Sequence, residues 1–199
     1  MTPKTDGTGG RNAGDAGHAL QKARHRSLLF AAPIALLLVL AGCGDSGTKA
    51  TTVAVKAVDY GFEGLPPKVG TGSTFTMTNA SKVEAHELTA MRLPEGERRS
   101  AAELVRLPED QLGALFSGPP AFVLVANPGG KSTVAVGDGK LREPGRYLML
   151  CFVPTGADPA AFMQAAQKAA AAGPEGGPPQ IAGGPPHLAH GMYAELTVE

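Results

Sequence analysis

The sequence predicts an all-β domain, an antiparallel Greek-key β-sandwich with short helical inserts. Three observations lead there. The chain has 199 residues, one domain's worth with tails. Gly 27 and Pro 17 together are high for a helical bundle and suit a loop-rich β protein. Seven short apolar or alternating stretches are separated by turn signals, the spacing of a two-sheet sandwich.

Taken in order, Thr51–Val58 alternates as a half-buried strand, and a Gly/Pro turn follows around residues 64–67. Ser73–Thr78 alternates again and stops at Asn79. Ala85–Met91 is the third strand, with His86, Leu88 and Ala90 on one face. Ser100 and Glu103 have capping-box spacing, so one or two short helices are expected within 100–116. Strands resume at Ala121–Ala126, Lys131–Val136, Arg146–Phe152 and Gly191–Val198. Asp158 followed by Pro159 reads as an N-cap with proline at the first helical position. It opens an Ala-rich helix to about Ala172, and 173–186 is a Gly/Pro-rich return loop.

The N-terminal fifth has a different character. Residues 1–26 are polar and carry Lys4, Arg11, Lys22, Arg24 and Arg26, and an apolar run then fills 27–40. That run is shorter than the roughly 20 residues a membrane-spanning helix needs. It ends in Leu40-Ala41-Gly42-Cys43, which resembles the lipobox of bacterial lipoproteins. The resemblance implies a signal peptide over 1–42, lipid on Cys43, and a flexible tether over 43–51. The globular domain is then 52–199, held by its acyl chains on the extracytoplasmic face of a bacterial cell membrane. From Cys43 onward there are 13 basic and 16 acidic side chains. Near-neutral charge and 5% aromatic residues without Trp give no footprint for nucleic acid.

With Cys43 lipidated, Cys151 is the only other cysteine, and the compartment is oxidising. It is then a free thiol, a metal ligand or an intermolecular bridge. The same part of the chain has three histidines, His86, His187 and His190, the last two close to Met192. Copper that cycles between two oxidation states needs ligands acceptable to both: a soft thiolate, imidazoles and a weak axial thioether.

The order of these residues resembles the cupredoxins, the plastocyanin and azurin type of blue-copper domain. An Asn79-containing turn precedes His86. Gly145-Arg146-Tyr147 leads through three residues to Cys151, and His187 and Met192 follow on the way into the last strand. The resemblance implies His86, Cys151 and His187 as equatorial copper ligands and Met192 as the axial one. His190 is the rival or supporting imidazole, since on strand parity it points with Met192. One departure is the 35 residues between Cys151 and His187, where small blue-copper proteins have a few. Loop closure tolerates that length, but it bears on the rigidity of the site. Another is Glu87, a carboxylate next to His86 that could enter a non-blue site.

The resemblance implies a one-electron carrier with a redox protein as partner, not an enzyme. Copper storage or delivery is the alternative, and a metal-free binding or structural domain of the cell envelope is a third reading. A multicopper oxidase would need several domains and His-x-His pairs, which 43–199 lacks. Zinc hydrolysis would leave Cys151 and Met192 unexplained.

Overall fold

The structure, a computed structural model, describes residues 47–116, 118–173 and 179–199. The expected signal peptide and Cys43 lie outside the described residues. Among the described residues, no helix is long and apolar enough to cross a membrane.

Among the described residues, ten strands and three helices follow in chain order. They are β1 (Thr52–Val58), β2 (Gly61–Glu63), β3 (Lys68–Val69), β4 (Ser73–Asn79), β5 (His86–Arg92), α1 (Ala101–Leu104), α2 (Glu109–Ala114), β6 (Phe122–Ala126), β7 (Thr133–Val136), β8 (Lys140–Leu141), β9 (Gly145–Leu150), α3 (Pro159–Ala172) and β10 (Tyr193–Val198). A 3-10 turn over His187–His190 precedes β10. The first sheet has the order β2-β1-β4-β8, and the second β3-β10-β9-β5-β6-β7. All seven expected strands are present. The additional three, β2, β3 and β8, are two or three residues long, too short to carry a periodicity.

The expected sandwich is there, but its sheets are mixed rather than antiparallel throughout. β1 pairs with β4 in parallel, with Val53 opposite Phe75 and Val55 opposite Met77. β10 and β3 are the other parallel pair. The path explains it: after the β1–β2 hairpin the chain crosses to the second sheet as β3. It then returns to the first as β4, having reversed direction twice.

Alternation builds the core between the sheets. Val53, Val55 and Ala57 of β1 and Phe75 and Met77 of β4 cluster with Leu88, Ala90, Phe122, Leu124, Leu196 and Val198 of the second sheet. The Phe75 and Phe122 rings lie 5.2 Å apart at the centre. The helical inserts do more than decorate this sandwich, because they cover the outer face of the second sheet. Leu104 of α1 and Leu112 of α2 pack with Leu148 and Leu150 of β9, while α3 buries Phe162 and Ala166 beside β6 and β7. β9 is therefore buried on both faces, which accounts for its unbroken run Tyr147-Leu148-Met149-Leu150.

The local signals work as expected. Ser100 Oγ accepts from the Glu103 N–H at 3.3 Å, and Glu103 Oε2 accepts from the Ser100 N–H at 2.7 Å, closing the capping box. Asp158 Oδ1 accepts from the Ala161 N–H at 2.7 Å, with Pro159 at the first helical position. The last residues of the stretch expected to be a tether, from 47 on, lie against the domain. Thr48 Oγ1 donates to Glu199 Oε2 at 2.7 Å, and the Thr48–Ala50 backbone lies so close to Gly70 that any side chain there would collide with it.

Phe122 is fully buried at the meeting of the two sheets. Phe122→Ala is expected to cost about 3–5 kcal/mol of unfolding free energy, read from the urea midpoint at unchanged slope. A loss below about 1 kcal/mol would mean that this region is not tightly packed.

Candidate metal centre

Strand pairing alone brings the late and early site residues together. β9 lies between β5 and β10 and is antiparallel to both, with Leu150 opposite Thr89 on one side and Tyr193 on the other. The start of β5, the end of β9 and the start of β10 therefore share one end of the sheet. His86 opens β5, Cys151 follows β9, and Met192 precedes β10.

Asn79 shapes the loop that delivers His86. Its Nδ2 donates to the carbonyls of Glu84 at 2.8 Å and Ala126 at 3.2 Å, and its Oδ1 accepts from the Ser81 N–H at 2.9 Å. Ser81 Oγ then accepts from the Glu84 N–H at 3.0 Å. Such side-chain turns hold a short segment without regular structure. On the other side, the Cys151 N–H donates to the Met192 carbonyl at 3.2 Å and the Leu188 N–H to the Cys151 carbonyl at 2.9 Å. The His187 N–H donates to Val153 O at 2.9 Å, and the Met192 N–H to His187 O at 3.1 Å. Gly191 ends the 3-10 turn at φ 108°, a conformation that strains any L side chain.

These contacts converge three side chains. His86, Cys151 and His187 are each fully buried, and their donor atoms all lie within 4.8 Å of one another. His86 Nδ1 and His187 Nδ1 are 3.1 Å apart, and Cys151 Sγ is 3.4 Å from His187 Nδ1. Sγ also accepts from the Glu87 N–H at 3.4 Å.

The electrostatics favour uncharged donors in the absence of a cation. Burial, and next the His187 ring, push the His86 pKa down to about 4, with Asp59 opposing. Burial also lowers that of His187, with Glu84 the main opposing group. The Cys151 thiol is raised by burial and then by the nearby Glu87 charge. Two imidazoles turned toward each other beside a thiol, all buried, can share at most one proton between their Nδ1 atoms. They suit a cation that takes both Nδ1 lone pairs and displaces the thiol proton. One soft sulfur and two imidazoles fit a transition metal of the copper or zinc kind.

The remaining expected residues separate. Met192 is fully buried at this end of the sheet, with its N–H bonded to the His187 carbonyl. His190 is exposed and lies against Tyr60, ring centroids 5.0 Å apart, outside the donor cluster. The parity that pairs His190 with Met192 does not apply, because 187–190 turns as a 3-10 helix and not as strand. Glu87 points away from the donors. Its Oε1 accepts from the Phe152 N–H at 2.9 Å, and burial pushes its carboxyl up to about 7. It lines the space between the second sheet and α3.

The two ends of the long segment between Cys151 and His187 are hydrogen-bonded to each other. The insert is closed at its base, where the Thr155 N–H donates to Pro185 O at 3.1 Å and the Gly184 N–H to Thr155 O at 2.8 Å. Three further residues lie against the two imidazoles and carried no signal in the sequence. Asp59 Oδ1 stands 3.7 Å from His86 Nε2, and Glu84 Oε2 3.7 Å from His187 Nε2. Tyr60, at φ 63°, sets its ring edge-on to His187 at 5.2 Å. A left-handed tyrosine is uncommon and marks a backbone held by its surroundings.

The chain thus has a two-sheet sandwich with a buried His, Cys and His at one end, the arrangement that the sequence resemblance to the cupredoxins implies. No family model matches the chain, and no curated protein does. Among solved structures it is similar to dithionite-reduced auracyanin from the photosynthetic bacterium Roseiflexus castenholzii. The identity is 18% and the TM-score 0.39, over 77% of this chain and 99% of that one. Auracyanin B matches at 18% and 0.39, over 76% of this chain and 91% of its own. Auracyanin A, described as a "blue" copper protein from the green thermophilic bacterium Chloroflexus aurantiacus, matches at 16% and 0.34, over 74% and 99%.

Burial and the raised thiol pKa make a prediction for Cys151. In the native, metal-free chain at pH 8 it should react with a thiol reagent at least roughly 100-fold more slowly than in the unfolded chain. Equal rates in the two states would contradict the closed site.

Proposed function

We propose that the protein is a single-domain copper electron carrier. His86, Cys151 and His187 hold the metal, and Met192 is the weak fourth ligand. The observation that carries this reading is the convergence of three fully buried donors, one soft and two borderline, on a single point. When bound, copper supplies a one-electron couple, and everything else is the work of the chain. Cys151 gives the soft donor that both oxidation states accept, and the imidazoles give the nitrogen donors. Backbone hydrogen bonds on both sides fix Cys151 and His187 before a metal arrives. Burial excludes water, so the donors have little to rearrange around when charge changes.

The closed base of the insert supports retention of the metal over its release, and so favours an electron carrier over a delivery protein. A redox protein is the partner this implies, and no catalytic step is assigned to the chain. We also propose that Cys43 is lipidated after removal of 1–42. The domain would then sit on the outer face of a bacterial cell membrane, a reading that the Leu40-Ala41-Gly42-Cys43 motif supports.

The test is titration with Cu(II), followed by visible absorption and electron paramagnetic resonance, for the wild type and Cys151→Ser. An intense sulfur-to-copper charge-transfer band, saturating at one equivalent and lost in the variant, is expected. If the wild type shows no such band with either order of copper addition and oxidation, the electron-carrier reading is wrong.

A further inference from the structure

Among the described residues, three buried side-chain polar atoms have no hydrogen-bond partner: His86 Nε2, His187 Nε2 and Glu84 Oε2. They fall in one place. The two nitrogens are the outward atoms of the rings whose Nδ1 atoms face the donor cluster. Each is met by a carboxylate oxygen at 3.7 Å, Asp59 Oδ1 for His86 and Glu84 Oε2 for His187. Each ring thus lies between the cluster and an acidic side chain.

We propose that Glu84 and Asp59 are positioning residues of the metal centre, orienting the two imidazoles through their Nε2–H groups and lowering its reduction potential by their charge. This rests on the copper reading above. The reasoning starts from the tautomers. For the Nδ1–Nδ1 contact of 3.1 Å to be a hydrogen bond, one ring must carry its proton on Nδ1. Ligation through both Nδ1 atoms would shift that proton to Nε2 of the same ring, so both rings would be Nε2–H donors facing a carboxylate. A carboxylate on the far nitrogen fixes a ligand ring's rotation and raises its basicity. Closing 3.7 Å to hydrogen-bond length takes only a small ring or side-chain shift.

Glu84 is the better built of the two. Its Oε1 accepts from the Gly156 N–H at 3.2 Å, and its carbonyl accepts from Asn79 Nδ2 at 2.8 Å. One residue therefore ties the loop before His86 to the start of the insert and reaches His187. Its side chain is 13% exposed, against 58% for Asp59, so its charge is less screened by water. The oxidised centre carries one more positive charge than the reduced one. A fixed negative charge nearby favours the oxidised form, the electron being taken from or given to the redox partner with no bond made or broken.

The experiment is protein-film voltammetry of the copper-loaded full chain as wild type, E84Q and D59N. Each amide keeps the shape and removes the charge. The charge-transfer band should persist in all three, the potential should rise in both variants, and the rise should be larger in E84Q. A retained band with an unshifted E84Q potential, or a larger rise in D59N, overturns the proposal. If E84Q fails to load copper, nitrogen-15 NMR of the wild type with Cu(I) decides the matter. A slowly exchanging His187 Nε2–H supports the proposal, and one in rapid exchange with water overturns it. A wild type without the band would instead refute the copper reading itself, so the two failures are distinguishable.

Discussion

The geometry of this protein depends on the position of β9. It is paired on both edges, to β5 and β10, and covered on both faces, by the other sheet and by α1 and α2. A strand enclosed in this way cannot slip by one residue without turning Leu148 and Met149 to the wrong faces. Its register therefore fixes where Cys151 emerges, and its neighbours fix where His86 and Met192 lie relative to it. The site is a consequence of strand order before any side chain is considered.

That frame holds together groups that do not stabilise it. Two imidazoles and a thiol are withdrawn from water, with both Nε2 atoms left unpaired. Buried polar groups without partners each cost free energy, of order 1–3 kcal/mol. A fold keeps such an arrangement where the surrounding structure over-determines it and a ligand repays it. The surrounding structure is visible in the Asn79 turn, the backbone bonds from Cys151 to Leu188 and Met192, and the closed neck of the insert. The insert is thereby joined to the frame, and α3 packs over part of the sheet's outer face, leaving a cleft lined by Glu87, Val123, Val125 and Phe162.

Much of this was legible in the sequence, for reasons that differ by element. The seven longer strands announce themselves by alternation or by unbroken apolar runs. Ser100 with Glu103, and Asp158 with Pro159, name their helix starts by local chemistry that tertiary packing does not alter. His86, Cys151 and His187 stand out because soft and nitrogen donors are scarce in this chain. Strand direction was less legible, since the parallel β1–β4 pair depends on a crossing through a two-residue strand. The resemblance already favoured His187 over His190, and the strand parity that spoke for His190 does not hold where 187–190 turns as a 3-10 helix. Asp59, Tyr60 and Glu84 gave no sign, being ordinary loop residues that matter only through which imidazole they meet in space.

The account stands on one claim, that Cys151 and two imidazoles bind the same copper ion. Copper K-edge X-ray absorption of the loaded chain tests it most directly, since the fine structure counts scatterers by element without any assumption about colour. The account predicts one short copper–sulfur path and two imidazole nitrogen paths, with the sulfur path gone in Cys151→Ser. A wild-type spectrum with only nitrogen and oxygen around the copper, identical to that of Cys151→Ser, would contradict it.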